Sequence, residues 1–123
     1  MDSTLKVEVT HLPGIAIVTL AGEARLQLRS LEVEITRLSA ERVGAVILDM
    51  AGISLVSSLG MGLLVSLRNG LKRREGRLLA VGIQPLVLDS FQRSRLDNIF
   101  ELFDTLDAAV ASANAGLPLT GHG

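Results

Sequence analysis

Cysteine, tryptophan and tyrosine are absent from this 123-residue chain, and each absence removes a class of chemistry. Without cysteine there is no disulfide framework, no thiolate ligand for zinc and no thiol nucleophile, so the core must hold itself by packing alone. Three phenylalanines are the only aromatic residues, too few for base stacking along a nucleic acid or for an aromatic cage around a cation. An excess of one charge is missing as well. Twelve basic and thirteen acidic residues leave a formal net charge of −1, so no long-range field draws the chain to nucleic acid or to an anionic membrane. The longest apolar runs, such as residues 45–48 and 78–83, fall far short of the roughly 20 residues of a membrane-crossing helix. The opening MDSTLKVEVT lacks the basic-then-apolar order of a secretory signal. A cytoplasmic protein without nucleic-acid or direct membrane contact is expected.

What is present is aliphatic. Hydrophobic residues make up 48% of the chain, enough for one core in a sequence of single-domain length. Residues 4–10 alternate Leu5, Val7 and Val9 with Lys6, Glu8 and Thr10, the period of a strand with one solvated face. Pro13-Gly14 then signals a turn into a second β-rich run over residues 15–20, which Gly22 is expected to end, giving a hairpin. Leu28, Leu31, Ile35 and Leu38 recur at helical spacing within residues 26–38. The wholly apolar Ala45-Val46-Ile47-Leu48 reads as a central strand covered on both faces, followed by a loop over residues 52–56. Ser57-Ser58 precedes a second helix, with Leu59, Leu63, Leu67 and Leu71 as its expected apolar stripe and Lys72-Arg73-Arg74 as a solvated cationic end. Residues 77–83 form a further strand, and Pro85 opens a third helix reaching to residue 100. A short strand over residues 101–104 and a helix over 106–113 complete the series. This alternation predicts an α/β fold, a mixed sheet of about five strands covered by about four helices. Residues 1–115 are expected to form one domain and 116–123 a disordered tail.

The stretch from Val46 to Gly62, VILDMAGISLVSSLGMG, resembles the signature of STAS domains, in which an apolar strand ending in Asp leads through a loop to Asp-Ser-Ser-Gly-Leu-Gly at a helix start. The similarity continues over almost the whole chain. Gly22-Glu23 resembles the family's Gly-Glu after the hairpin, Gly76-Arg77-Leu78 its glycine-led fourth strand, and residues 96–103 its Leu-Asp followed by Phe-x-x-Phe. Several matches in register carry more weight than any one of them.

The resemblance implies an anti-sigma factor antagonist that works by partner switching. In such proteins the first serine after the motif's Asp is phosphorylated by an anti-sigma factor that is also a serine kinase. That position is Ser58 here, with Ser57 as the alternative acceptor. Phosphate would add about −2 charge to a docking surface and so abolish binding, and a serine phosphatase would reverse it. Read by itself, a serine before an apolar helix is an N-cap, and both readings of Ser58 stand at this stage. The chain departs from the family pattern at four places: Ser57 replaces the motif's Asp, Leu59 its second serine, Arg25 an Asp after Gly-Glu, and Ala51 a serine. The expected partner-binding set is Glu23, Arg25, Asp49, Ser57, Ser58, Leu59, Gly60, Met61, Gly62 and Val65. Asp49 is given a supporting role near Ser58. Arg25 reads either as part of an altered partner face or as a solvated cation.

No cofactor and no metal are expected, since His11 and His122 lie far apart with no carboxylates at ligand spacing. The surroundings of Ser58 lack the G-x-S-x-G frame of a serine hydrolase, and Gly60-Met61-Gly62 lacks the Lys-Ser/Thr of a P-loop. The chain therefore reads as a binding protein and not an enzyme. The alternative function is an unphosphorylated STAS interaction subunit of a transport or other signalling complex.

Overall fold

The computed structural model describes residues 5–116 apart from residues 26 and 42. The predicted hairpin opens the fold: β1 (Lys6–Leu12) runs antiparallel to β2 (Ile15–Ala24) with Leu12 opposite Ile15. Gly14 turns between them at φ 75°, a left-handed conformation that only glycine adopts without steric cost. The remaining elements alternate: α1 (Arg29–Ala40), β3 (Ala45–Val56), α2 (Ser58–Lys72), β4 (Arg77–Val81), α3 (Pro85–Arg93), β5 (Glu101–Phe103) and α4 (Leu106–Gly116). The five strands lie in sequence order, β1-β2-β3-β4-β5, with every pair after the hairpin parallel.

That order decides where the helices go. Crossovers between parallel strands are right-handed, and here all three step the same way across the sheet, so α1, α2 and α3 fall on one face. They bury Leu31, Ile35 and Leu38 from α1, Leu64, Leu67 and Leu71 from α2, and Val87 and Phe91 from α3 against Val18, Val46, Leu48 and Ala80. Phe91 meets Phe100 edge-on with ring centroids 5.2 Å apart. The opposite face is left to α4, whose Ala109 and Ala113 cover Ile15, Ile17, Ile47 and Leu79. Burial on both faces explains why residues 45–48 read as an unbroken apolar run.

Arg77 fastens α4 and β5 to this face. Its guanidinium donates to both carboxylate oxygens of Glu101, at 2.9 and 2.7 Å, and to the carbonyl and hydroxyl of Ser112, at 2.9 and 2.8 Å. The hydrogen bonds from Arg77 hold the Glu101 carboxyl below its ordinary pKa, and the same bonds raise that of Arg77.

Several elements depart from the sequence expectation. Gly22 does not end the second strand; β2 runs on to Ala24, and β3 runs to Val56 through the expected loop. The pairing carries register shifts between Thr19 and Ala21 and between Gly22 and Glu23. In both places β3 holds an extra residue, a β-bulge, so that Met50, Ile53 and Val56 are buried at a spacing of three. Alternation of two is lost, and with it the strand signal. At the first bulge, a side chain on Gly52 would lie 3.1 Å from the Leu20 carbonyl oxygen. α3 ends at Arg93, seven residues before the expected end, where Arg95 turns at φ 59°. Gly116, the first residue of the expected tail, is the last of α4; the rest of that segment, with His122, lies outside the described residues.

Candidate functional site

The C-terminal ends of β2 and β3 meet the start of α2, and Ser57 ties the three together. Its backbone N–H donates to the Ala24 carbonyl at 2.8 Å, and its hydroxyl donates to the Arg25 carbonyl at 2.6 Å. The same hydroxyl oxygen accepts the Gly60 N–H at 3.2 Å, the N-cap bond of α2. One free N–H of the first helical turn is thereby satisfied. The capping role considered for Ser58 thus belongs to Ser57. Ser58 is the first helical residue; it is exposed, and among the described residues its hydroxyl bonds to nothing.

Gly60 and Gly62 face opposite ways. Gly60 is buried against β2, and a Cβ there would lie 3.0 Å from Val56 Cγ1 and 3.3 Å from the Ala24 carbonyl oxygen. Gly62 is exposed, with nothing within 4 Å of where its Cβ would be. The packing and docking readings of these glycines therefore divide between the two residues. The expected stripe of Leu59, Leu63, Leu67 and Leu71 is corrected: the buried set is Gly60, Met61, Leu64, Leu67, Gly70 and Leu71. Starting the helix at Ser58 rotates Leu59 outward, where it is 53% exposed. Met61 joins the core and Val65 packs against it half-buried, so Met61 and Gly60 contribute to position and not to surface.

Glu23 lies near the end of β2 and Arg25 just beyond it, the first partly exposed and the second exposed. They form an ion pair across one residue, with Arg25 Nε 2.6 Å from Glu23 Oε1, and the first turn of α2 carries no acidic residue. Asp49 does not join this group. It lies within β3 opposite Thr19, seven residues before Val56, on the order of 20 Å along an extended strand. There its Oδ1 accepts the Ala51 N–H at 3.2 Å, a local bond within β3 at the first bulge. His11 pairs with Glu41 at 3.0 Å on the opposite end of the molecule. No group of three metal-ligating side chains occurs among the described residues.

Beside the helix start, β3 and α3 enclose a shallow cleft of about 310 Å³ whose walls include Leu55, Val56 and Leu86. Leu86 is 79% exposed, and the Asp89–Arg93 ion pair, 2.8 Å, lies along the cleft. Sequence reading overlooked this margin. The signal available was Leu86 itself, an apolar residue in the first turn after Pro85 that falls off the buried Val87–Phe91 line. No helix is long and apolar enough to cross a membrane among the described residues.

Comparison with known proteins returns the same outline. The family model described as STAS domain matches residues 6–109. The anti-sigma factor antagonist candidate BtrV of Bordetella bronchiseptica is 24% identical over 115 residues, 93% of this chain and 99% of that protein. Among solved structures, an anti-sigma factor antagonist from Mycobacterium paratuberculosis superposes with a TM-score of 0.81 at 23% identity, over 93% of this chain and 97% of the other. The anti-sigma factor antagonist SpoIIAA superposes in its unphosphorylated form with a TM-score of 0.79 at 19% identity, over 92% and 100% of the two chains. Its phosphorylated Bacillus form gives 0.69 at 20% identity, over 87% and 98%. These structural likenesses concern the fold.

Proposed function

The chain belongs to the STAS domain family, and from that premise we propose that it is an anti-sigma factor antagonist whose partner, an anti-sigma factor serine kinase, docks on the start of α2 and is released when Ser58 is phosphorylated. The observation that carries this reading is the division of labour between two adjacent serines. Ser57 is committed to the cap and to Arg25, whereas the Ser58 hydroxyl is exposed and unbonded among the described residues. A kinase can reach Ser58 without dismantling the helix start.

Around Ser58 the surface suits docking. Leu59 and Leu86 offer exposed apolar contact, and Gly62 leaves room for close approach. A phosphoserine carries roughly −1.5 to −2 charge near neutral pH, and burying that charge in an apolar contact without a paired cation costs far more than docking regains. A serine phosphatase restores the binding form. Nothing in this scheme asks the chain to perform a reaction itself.

The test is incubation of the purified protein with ATP and a candidate anti-sigma factor serine kinase from the same organism, followed by mapping of the phosphate by mass spectrometry. Phosphate on Ser58 is expected, retained in Ser57→Ala and lost in Ser58→Ala, and the modified protein should no longer co-elute with the kinase. Stable binding without any phosphate would replace the switch with an unswitched interaction subunit.

A further inference from the structure

We propose that Arg25 is an intramolecular receptor for the phosphate on Ser58, exchanging its ion pair with Glu23 for one with the phosphoserine. The inference rests on Ser58 being the modified residue and adds how the modified state is held. Three observations converge on it. First, the Ser57 hydroxyl donates to the Arg25 carbonyl at 2.6 Å, so the Arg25 backbone is fastened to the residue before Ser58, one Cα step of about 3.8 Å away. Second, the Arg25 side chain is already extended to a neighbouring anion on the solvent side, holding Glu23 at 2.6 Å while 58% exposed. Third, the first turn of α2 carries no acidic side chain that would compete for Arg25 or repel a phosphate.

The exchange is favourable on chemical grounds. A phosphate carries up to twice the charge of a carboxylate and three acceptor oxygens, and the guanidinium fork matches it in two parallel hydrogen bonds. The pair it replaces is exposed, and such pairs are individually weak. Among the charged side chains on the helices flanking the site, Asp89 and Arg93 on α3 are paired with each other at 2.8 Å, and Arg29 and Glu32 stand in the first turn of α1, which packs on α2. Glu23 is the one carboxylate that Arg25 must leave. After the exchange Arg25 is occupied within its own chain, and the uncovered Glu23 carboxylate adds to the negative charge that a docking partner meets.

The experiment installs phosphoserine at position 58 during translation, so that no kinase is needed, and follows the phosphate by 31P NMR across pH. An adjacent cation favours the dianion, and the second phosphate pKa, ordinarily about 6, is expected to lie lower in the wild-type sequence. Arg25→Ala should raise it by about half a unit, a fraction of the 1–3 units seen for closely paired groups because this site is exposed. Glu23→Gln should lower it further by removing the competitor. Lys72→Ala serves as the control, since Lys72 lies at the far end of α2 and removes the same charge. Equal values in the wild-type sequence and Arg25→Ala, or an equal shift in Lys72→Ala, would overturn the proposal. Because phosphate is supplied by translation, this result is independent of whether a kinase modifies Ser58, which the incubation with ATP decides separately.

Discussion

Two neighbouring serines with different work should respond differently to the same truncation. Ser57→Ala removes the cap of α2 and the bond to the Arg25 carbonyl, and caps of this kind contribute about 0.5–2 kcal/mol. Ser58→Ala removes an exposed hydroxyl unbonded among the described residues, and surface changes of that sort fall within about 0.5 kcal/mol. Urea unfolding followed by circular dichroism checks both, and equal losses for the two variants would contradict the assignment of the cap. Sequence could place a serine at this helix start but not choose between Ser57 and Ser58, because a cap is defined by backbone dihedrals and not by residue type alone. Only the extended backbone of Ser57, at ψ 169°, decides it. Arg25 was equally undetermined: its charge was legible, while its tie to Ser57 spans 32 residues of chain.

At the scale of the helix, two of the three glycines of α2, Gly60 and Gly62, make a matched pair. Gly62→Ala meets no atom within 4 Å and gains the helix propensity of alanine, so it should stabilise by about 0.5–1 kcal/mol. Gly60→Ala should gain nothing and lose stability, since its Cβ would press within 3.3 Å of the Ala24 backbone carbonyl. Thermal unfolding of the two variants should shift in opposite directions. If Gly62 also gives a partner room to approach, Gly62→Ala should weaken kinase binding while raising the melting temperature. Periodicity found this helix and part of its buried face, Leu67 and Leu71, but misplaced Leu59. Leucines at spacings of four suggested one stripe, whereas Gly60, Met61, Leu64 and Gly70 complete the buried set, and glycine carries no hydrophobic signal. The end of β3 was illegible for a related reason: its bulges turn a period of two into three, which erases the alternation that marks a strand.

For the molecule as a whole, the Arg77–Glu101 clasp gives stability a pH dependence. The Glu101 carboxyl is depressed by the Arg77 hydrogen bonds, so the unfolded chain takes up its proton first as pH falls. The contribution is therefore complete above the ordinary carboxylate range and is lost as pH drops through it toward the depressed value. Glu101→Gln should flatten the acid limb of a stability-against-pH curve by lowering the plateau near neutrality, modestly because the pair is half exposed, while changing little at low pH. Equal acid limbs in the two proteins would mean that the clasp adds nothing. The overall architecture was the most legible level of all, since a hairpin followed by alternating helices and strands leaves few right-handed arrangements. The strand order has one more consequence. Every strand after the first pairs with the strand before it in the chain, so no pairing after the hairpin must wait for a strand still to be made. As the polypeptide leaves the ribosome, each new β-strand finds its template already standing, and the sheet can accrete in the order of synthesis, each parallel pair closing over one crossover helix.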